Sequence, residues 1–132
     1  MTGKDITEEI KQFLFAHVES VEQLEIMFLL RQDPEKWWSA RSIADELRAS
    51  ASSVSNRLNF IDKLKLLEKD NNNMVRYNPQ DPEIQRVVDE LSEVYKVRKH
   101  RVFEIIFSPL KRARNFADAF VISGKRNGDK DG

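Results

Sequence analysis

Two short helices that begin only a few residues apart constrain the fold of this chain more than any other feature. Ser39 and Ser50 each precede apolar residues at helical spacing, and serine is a preferred N-cap because its hydroxyl accepts a backbone N–H that the first turn leaves unpaired. The first helix carries Ile43, Ala44 and Leu47, and the small Ala44 allows a second helix to approach closely. The second helix has its apolar face at Val54, Leu58 and Ile61. The segment therefore predicts a helix-turn-helix.

Two further helices are predicted before this segment. The first, over about 6–18, carries Ile6, Ile10, Phe13, Leu14 and Val18 at helical spacing. Ser20 followed by Gln23 has the form of a capping box and opens the second helix, which has a wide apolar face. Asp33-Pro34 ends it, and Trp37-Trp38 then predicts a short extended segment.

A hairpin and further helices are predicted after the helix-turn-helix. Leu66-Leu67 leads into the polar turn 70–73 and the alternating stretch Met74–Tyr77. Asp81-Pro82 combines a cap residue with proline at the first helical position, and apolar residues continue as far as Phe107, so we predict one long helix over 82–107. Ser108-Pro109 repeats this signal for a last helix, and the polar end, 124–132, is expected to be disordered.

The central segment resembles a known family. Ser39–Leu47 (SARSIADEL) and Ser50–Leu58 (SASSVSNRL) resemble the helix-turn-helix of MarR- and ArsR-type winged-helix regulators, and Met74–Tyr77 resembles the wing. The resemblance implies a mainly α fold with a small β-hairpin wing. It places a winged helix-turn-helix over about 21–79 within a single domain, 1–123, with added terminal helices for dimerisation. It also implies a bacterial, DNA-binding regulator of transcription that acts as a homodimer.

Two positions depart from the pattern of that family. Such regulators often carry glycine in the turn between the two helices and again after the recognition helix, whereas this chain has Arg48 and Lys65 there. If the backbone needs a positive φ at these positions, both side chains carry a steric cost that glycine avoids.

The polar face of the second helix is the candidate reading surface for double-stranded DNA. With Val54, Leu58 and Ile61 buried, about 100° per residue turns the opposite face toward solvent. Asparagine can bond adenine through two hydrogen bonds, and serine can meet bases or phosphates. Arg57 lies to one side, better placed for phosphate, and Arg76 in the wing could reach the backbone or the minor groove. The candidate DNA-binding residues are Ser50, Ser52, Ser53, Ser55, Asn56, Arg57, Asn59, Lys63 and Arg76.

Net charge gives DNA binding only modest support. The 22 basic and 22 acidic residues cancel, while a nucleic-acid binder usually has a basic excess on part of its surface. The front of the chain is acidic and the region 96–114 is basic. The helix-turn-helix over 39–65 has five basic residues against three acidic ones, a local charge of +2. The distribution of charge therefore favours DNA over a protein as the predicted binding partner.

Composition argues against other classes of function. The chain has no cysteine and only four glycines, and it shows no glycine-rich phosphate loop, HExxH motif or paired histidine and carboxylate spacing. We expect no enzyme activity, cofactor or metal. The N-terminus lacks a secretory signal pattern, and the longest apolar stretch is too short to span a bilayer. We expect a cytoplasmic protein without stable membrane insertion.

Apolar residues on the terminal helices suggest the dimer interface, because they are more numerous than a monomer of this size needs. The candidates are Phe13, Val94, Tyr95, Val102, Phe103, Ile106, Phe116 and Phe120. The alternative is that these residues pack only within their own domain.

Other interpretations of these features remain open. A winged helix can bind a protein instead of DNA, as the neutral charge and Phe60 near the polar face of the second helix would suit. The run 96–101 is either an anion-binding patch or a solvated helix turn, and Trp37-Trp38 is either a binding platform or part of the core or dimer contact. A weaker alternative is attachment to a membrane surface through Leu110 to Ile122.

Overall fold

The computed structural model describes residues 5–109, which form six helices and a two-stranded antiparallel hairpin. The elements in chain order are α1 Glu8–His17, α2 Val21–Gln32, α3 Ala40–Leu47, α4 Ala51–Lys63, β1 Leu67–Lys69, β2 Val75–Tyr77, α5 Pro82–Val97 and α6 Lys99–Ile106. Helices α3 and α4 and the hairpin form a winged helix-turn-helix, so the predicted mainly helical fold with a β-hairpin wing is confirmed. No helix within residues 5–109 is both long and apolar enough to cross a membrane.

The predicted helix starts follow from capping hydrogen bonds. Ser20, Ser39 and Ser50 each accept a backbone N–H from the residue three positions later, which satisfies a donor that the first turn leaves unpaired. The capping box at Ser39 is closed by the side chain of Ser42. Asp81 caps α5 in front of Pro82, as the sequence predicted. Local side-chain chemistry therefore fixes where these helices begin.

The capping box predicted at Ser20 forms only in part. Gln23 is fully buried, and its side-chain Oε1 accepts the backbone N–H of Glu19 at 2.8 Å instead of that of Ser20. Its Nε2 donates to the carbonyl of His17 at 2.8 Å. Gln23 thus ties the end of α1 to the start of α2, and both polar atoms of this buried side chain are satisfied.

Helix α2 joins the two layers of the fold. It packs against α3, α4 and β2 on the side of the helix-turn-helix. On the other side, Arg31 forms an ion pair with Asp89 of α5 at 2.8 Å, and the ring of Phe28 lies 5.1 Å from that of Tyr95. The Tyr95 hydroxyl donates to Glu25 at 3.2 Å; burial, together with this carboxylate, raises the pKa of Tyr95 to about 12. The phenol therefore stays protonated and keeps its hydrogen bond at physiological pH.

The long helix predicted over 82–107 is wrong, because the chain bends at Arg98 and forms two helices. Arg98 leaves the helical region with φ −129° and ψ 39°. The helical pattern of hydrogen bonds continues across the bend, from Arg98 N to Val94 O and from Val102 N to Arg98 O. A straight helix of this length would extend roughly 37 Å and carry its end away from the core. The bend instead lays α6 against α1 and buries Val102, Ile105 and Ile106.

The wing is a two-stranded hairpin to which one isolated bridge is added. Glu68 lies opposite Arg76 in the hairpin, and Trp38 adds a third extended position through two hydrogen bonds of 2.8 Å with Val75. The extended segment predicted at Trp37-Trp38 is confirmed at Trp38. Asp70 shapes the turn, since its Oδ1 accepts the N–H groups of Asn72 and Met74 at 2.8 Å. The backbone of the wing is thus held by local hydrogen bonds as well as by strand pairing.

Arg48 and Lys65 both have left-handed backbone, with φ of 57° and 59°, so the steric cost considered for these positions is present. At Arg48 this conformation lets the N–H of Ala49 reach the carbonyl of Ala44 at 2.9 Å, which closes α3. A β-carbon in this region costs roughly 1–2 kcal/mol. Both turns therefore hold their shape against a local steric penalty.

We predict that Arg48→Gly and Lys65→Gly each stabilise the protein by about 0.5–1 kcal/mol, because glycine removes the steric cost and only part of that gain is lost to a more flexible unfolded chain. Urea unfolding followed by circular dichroism measures the change. Glu46→Gly is the matched control in helical backbone beside the turn, where we expect a loss of about 1 kcal/mol. Destabilisation by both turn variants would contradict the prediction.

Candidate nucleic-acid interface

Helix α4 occupies the position of a recognition helix and is held by its neighbours. It packs against α2 and α3, with Val54 and Ile61 fully buried and Leu58 partly buried against the core. Its first turn is fixed by Ser50, whose Oγ accepts the N–H of Ser53 at 3.1 Å. The buried face is the one that the sequence predicted, so the orientation of α4 about its axis is defined by packing.

The opposite face of α4 carries a stripe of exposed polar side chains, which we call the reading stripe. At 100° per residue its members lie within one sector of the helix. Within residues 5–109, the side chains of Ser55, Asn56 and Asn59 form no hydrogen bond, so their donors and acceptors are available to a ligand. The reading stripe consists of Ser52, Ser55, Asn56, Asn59 and Lys63.

Two predicted DNA contacts, Ser53 and Arg57, lie on the flank of α4 that faces α2. Glu22, in the first turn of α2, accepts hydrogen bonds from the Ser53 hydroxyl and from Arg57 Nε through the same carboxylate oxygen. The distance from Arg57 Nε to Glu22 Oε1 is 3.2 Å, and the two side chains are 28% and 27% exposed. The structure therefore separates these residues from the reading stripe and gives them a partner inside the chain.

The predicted wing residue Arg76 also has partners within the chain. Its Nε donates to Glu68 at 3.0 Å, and its guanidinium lies 4.6 Å from the centre of the Trp37 ring. Glu35 adds a second carboxylate at 3.9 Å. The other cation of the hairpin, Lys69, pairs with Asp62 at 3.1 Å. The wing therefore presents little uncompensated positive charge.

The remaining cations of the helix-turn-helix form no ion pair within the described residues. They are Arg41, Arg48, Lys63 and Lys65. Lys63 stays exposed at the end of the reading stripe, with its ammonium 5.6 Å from the centre of the Phe60 ring. Phe60 is partly exposed and is not packed against the hydrophobic core. Positive charge suited to phosphate thus comes from the turns and from the end of α4 rather than from its flank.

The candidate dimerisation residues are mostly used inside the chain. Phe13, Val94, Tyr95, Val102 and Ile106 are buried in the core, and Phe103 is partly buried against it. The excess of apolar surface inferred from the sequence is therefore smaller than expected, because α1, α5 and α6 cover one another. Val97 and Phe107 remain exposed, at 60% and 62%. Phe116, Phe120, the segment from Leu110 to Ile122 and the tail 124–132 lie outside the described residues.

The two tryptophans have different surroundings. Trp38 belongs to the core at 4% exposure, whereas Trp37 lies beneath Arg76 on the outer side of the wing. The pair is therefore not a flat binding platform.

The basic run 96–101 is divided by the bend at Arg98. Four of its side chains have local partners: Lys96 pairs with Glu93, Arg98 with Asp5 and Arg101 with Glu104, while Lys99 lies over the Tyr95 ring. The run therefore does not form a single uncompensated patch on one helix.

The sequence did not reveal that Glu22 and Glu68 bind the candidate DNA-contacting arginines. Glu22 reads as an ordinary acidic residue in the first turn of a helix, and its partners lie far along the chain in α4. Glu68 faces Arg76 only once the register of the hairpin is known. The cross-strand pairing of a predicted hairpin was the one signal that could have found the second pair.

Comparison with known proteins gives a limited result. No protein-family model and no curated protein sequence matches the chain. A point mutant of Staphylococcus aureus MepR bound to an oligodeoxyribonucleotide is similar in structure, with 16% identity, a TM-score of 0.48 and 91% of each chain covered. A second point mutant of MepR has 16% identity and a TM-score of 0.47, with 91% of this chain and 89% of that chain covered. The winged helix is defined by the helices and hairpin of this chain itself.

We predict that Ser50→Ala destabilises the protein by about 1 kcal/mol, because the N–H of Ser53 loses its capping acceptor. Ser55→Ala is the matched control: it is exposed on the same helix without a hydrogen bond in the described region, and we expect a change within about 0.5 kcal/mol. Thermal and urea unfolding of the two variants measure the difference. Equal stabilities would show that Ser50 does not act as a cap.

Proposed function

We propose that this protein is a sequence-specific DNA-binding regulator of transcription that acts as a homodimer. The reading stripe is the observation that carries the proposal. It combines serine, asparagine and lysine side chains on the exposed face of a helix whose other face is fixed in the core. An α-helix of this kind fits the major groove of B-DNA, where base edges present distinct sets of donors and acceptors.

The chemistry of the reading stripe suits base recognition more than phosphate binding. The side-chain amides of Asn56 and Asn59 can each donate to N7 and accept from N6 of an adenine. Ser52 and Ser55 offer hydroxyls that both donate and accept. Lys63 supplies the single charge of the stripe and is placed at its end, where the helix leaves the groove and passes a phosphate. Two copies related by a two-fold axis would read half-sites about 34 Å apart.

The expected binding has a modest electrostatic component. Phosphate contacts dominate sequence-independent affinity, and each one makes binding more sensitive to salt. Because Arg57, Arg76 and Lys69 are paired with carboxylates, few cations remain for this role. We therefore expect weak binding to random duplex and a larger relative contribution from base contacts.

A test of the function is to select duplexes from a random library and then measure affinity at several salt concentrations. Asn56→Ala and Asn59→Ala should each weaken binding to the selected site by about tenfold, since a good bidentate base contact contributes roughly 1–3 kcal/mol of discrimination. Affinity for random duplex should change little. Gln85→Ala, an exposed amide on α5, is the control and should leave both affinities unchanged.

The second candidate function is a winged helix that binds a protein. The partly exposed Phe60 beside the reading stripe and the paired cations favour it. Absence of duplex binding at low salt, together with one stoichiometric protein partner that is lost in Phe60→Ala, would support this function over DNA binding.

The homodimer is tested separately by sedimentation equilibrium. Val97 and Phe107 are the exposed large apolar residues of the described region, and both lie in the layer formed by α1, α5 and α6. We expect Val97→Glu and Phe107→Glu to shift the protein toward monomer while circular dichroism still shows a folded helical chain, because neither side chain is in the core. Gln85→Glu on α5 adds the same charge at an exposed position and should leave the dimer intact. A monomeric wild-type protein would contradict the prediction.

A further inference from the structure

Glu22 holds the only arginine of α4 by a contact that DNA would have to break or share. Its Oε1 atom receives Arg57 Nε at 3.2 Å and also the hydroxyl of Ser53, one helical turn earlier. The carboxylate lies in the first turn of α2, where the partial positive charge of the helix end attracts a negative side chain. Ser53 adds a hydrogen bond to the same oxygen, so the acceptor is held in place from two sides.

The partly buried setting makes this pair stronger than an ordinary surface ion pair. Both side chains are about three-quarters buried, and water screens them less than it screens an exposed pair. A DNA phosphate that approaches Arg57 must therefore compete with a carboxylate that is already bound. If the phosphate joins the pair instead, it meets the negative charge of Glu22 at short range.

The same arrangement recurs in the wing. Glu68 accepts Arg76 Nε at 3.0 Å, and Asp62 binds Lys69 at 3.1 Å. The cations on the flank of α4 and in the hairpin are thus compensated, while Ser55, Asn56 and Asn59 of the reading stripe form no side-chain hydrogen bond within residues 5–109. The arrangement lowers attraction to the DNA backbone without removing the groups that can distinguish bases.

We propose that Glu22 is a specificity-determining residue: it withholds Arg57 from DNA phosphates and so suppresses sequence-independent binding. This inference rests on the proposed DNA-binding function. Glu22 acts through Arg57 and is a positioning residue, since it touches neither base nor phosphate itself. Its effect is a higher ratio of specific to non-specific affinity at the cost of absolute affinity.

The experiment compares wild type, Glu22→Gln, Arg57→Ala and the double variant on a selected duplex and on a random duplex across a salt series. Glutamine keeps an oxygen that can accept from Ser53, so the helices stay packed while the negative charge is removed. We expect Glu22→Gln to bind random duplex roughly tenfold more tightly at about 50 mM salt, with a slope of log K against log salt steeper by about 0.9, as one added phosphate contact requires. The ratio of specific to random affinity should fall, and an unchanged ratio would show that Glu22 does not determine specificity.

The variants of Arg57 test whether this residue is the origin of the tighter random-duplex binding expected for Glu22→Gln. We expect Arg57→Ala to keep the wild-type slope and to bind random duplex no more tightly than wild type, because the charge of Glu22 then lies uncompensated. The double variant should lose the gain of Glu22→Gln. Glu9→Gln removes the charge of a carboxylate paired with Arg86 between α1 and α5, so it controls for net charge and should leave DNA binding unchanged. Thermal unfolding checks that each variant is folded, and Glu22→Ala provides a second way to release Arg57.

The outcomes separate this inference from the proposed function. If wild type and every folded variant bind no duplex, the DNA-binding proposal fails. If wild type binds but Arg57→Ala lowers the slope by about one, Arg57 already contacts phosphate and the role assigned to Glu22 is wrong. An unchanged random-duplex affinity in Glu22→Gln also overturns it.

Discussion

The burial of α2 is the constraint on which the rest of the structure depends. Five of its side chains are fully buried: Gln23, Leu24, Ile26, Met27 and Leu30. One side of the helix supports α3, α4 and β2, and the other connects to α5 through Arg31 and Phe28. Because α4 packs on α2, the apolar face of α2 determines the direction in which the reading stripe points. None of the residues of the reading stripe belongs to α2. Replacing a large buried side chain of α2 with alanine typically lowers the free energy of unfolding by about 2–5 kcal/mol. Such a substitution would therefore disturb the reading stripe as well as the core.

The turns before and after α4 have a strained backbone that tertiary packing holds in place. Neither turn contains glycine, yet Arg48 and Lys65 both adopt the left-handed conformation. The left-handed turn at Arg48 allows the hydrogen bond from Ala49 N–H to the Ala44 carbonyl, which closes α3. The turn at Lys65 directs the chain from α4 into the buried Leu66 and β1. Since each turn needs its neighbours to hold it, the helix-turn-helix is expected to be stable only as part of the packed domain.

The sequence predicted what local chemistry determines. The serine caps, Asp81-Pro82, the hairpin turn and the buried face of α4 all depend on residues within a few positions of one another, and each was found. The bend at Arg98 was missed because its cause is distant: α6 gains a place against α1, whereas the apolar spacing from Val87 to Ile106 continues through the bend. The candidate site divides in the same way. The reading stripe follows from helical periodicity, but the partners of Arg57 and Arg76 follow from packing and strand register.

The neutral total charge has a structural meaning in this setting. A neutral chain could still carry a basic surface if its acids lay elsewhere, and the acidic front and basic region 96–114 suggested such a division. The fold instead brings Glu22 from the acidic front onto the flank of α4, and hairpin pairing brings Glu68 onto Arg76. Within residues 5–109, the charges of Arg57 and Arg76 are thereby compensated by carboxylates, whereas Arg41, Arg48, Lys63 and Lys65 form no ion pair. For a helix that presents serine and asparagine to a ligand, this compensation weakens long-range electrostatic attraction. More of the affinity then comes from short-range hydrogen bonds, which depend on the donors and acceptors that the ligand presents.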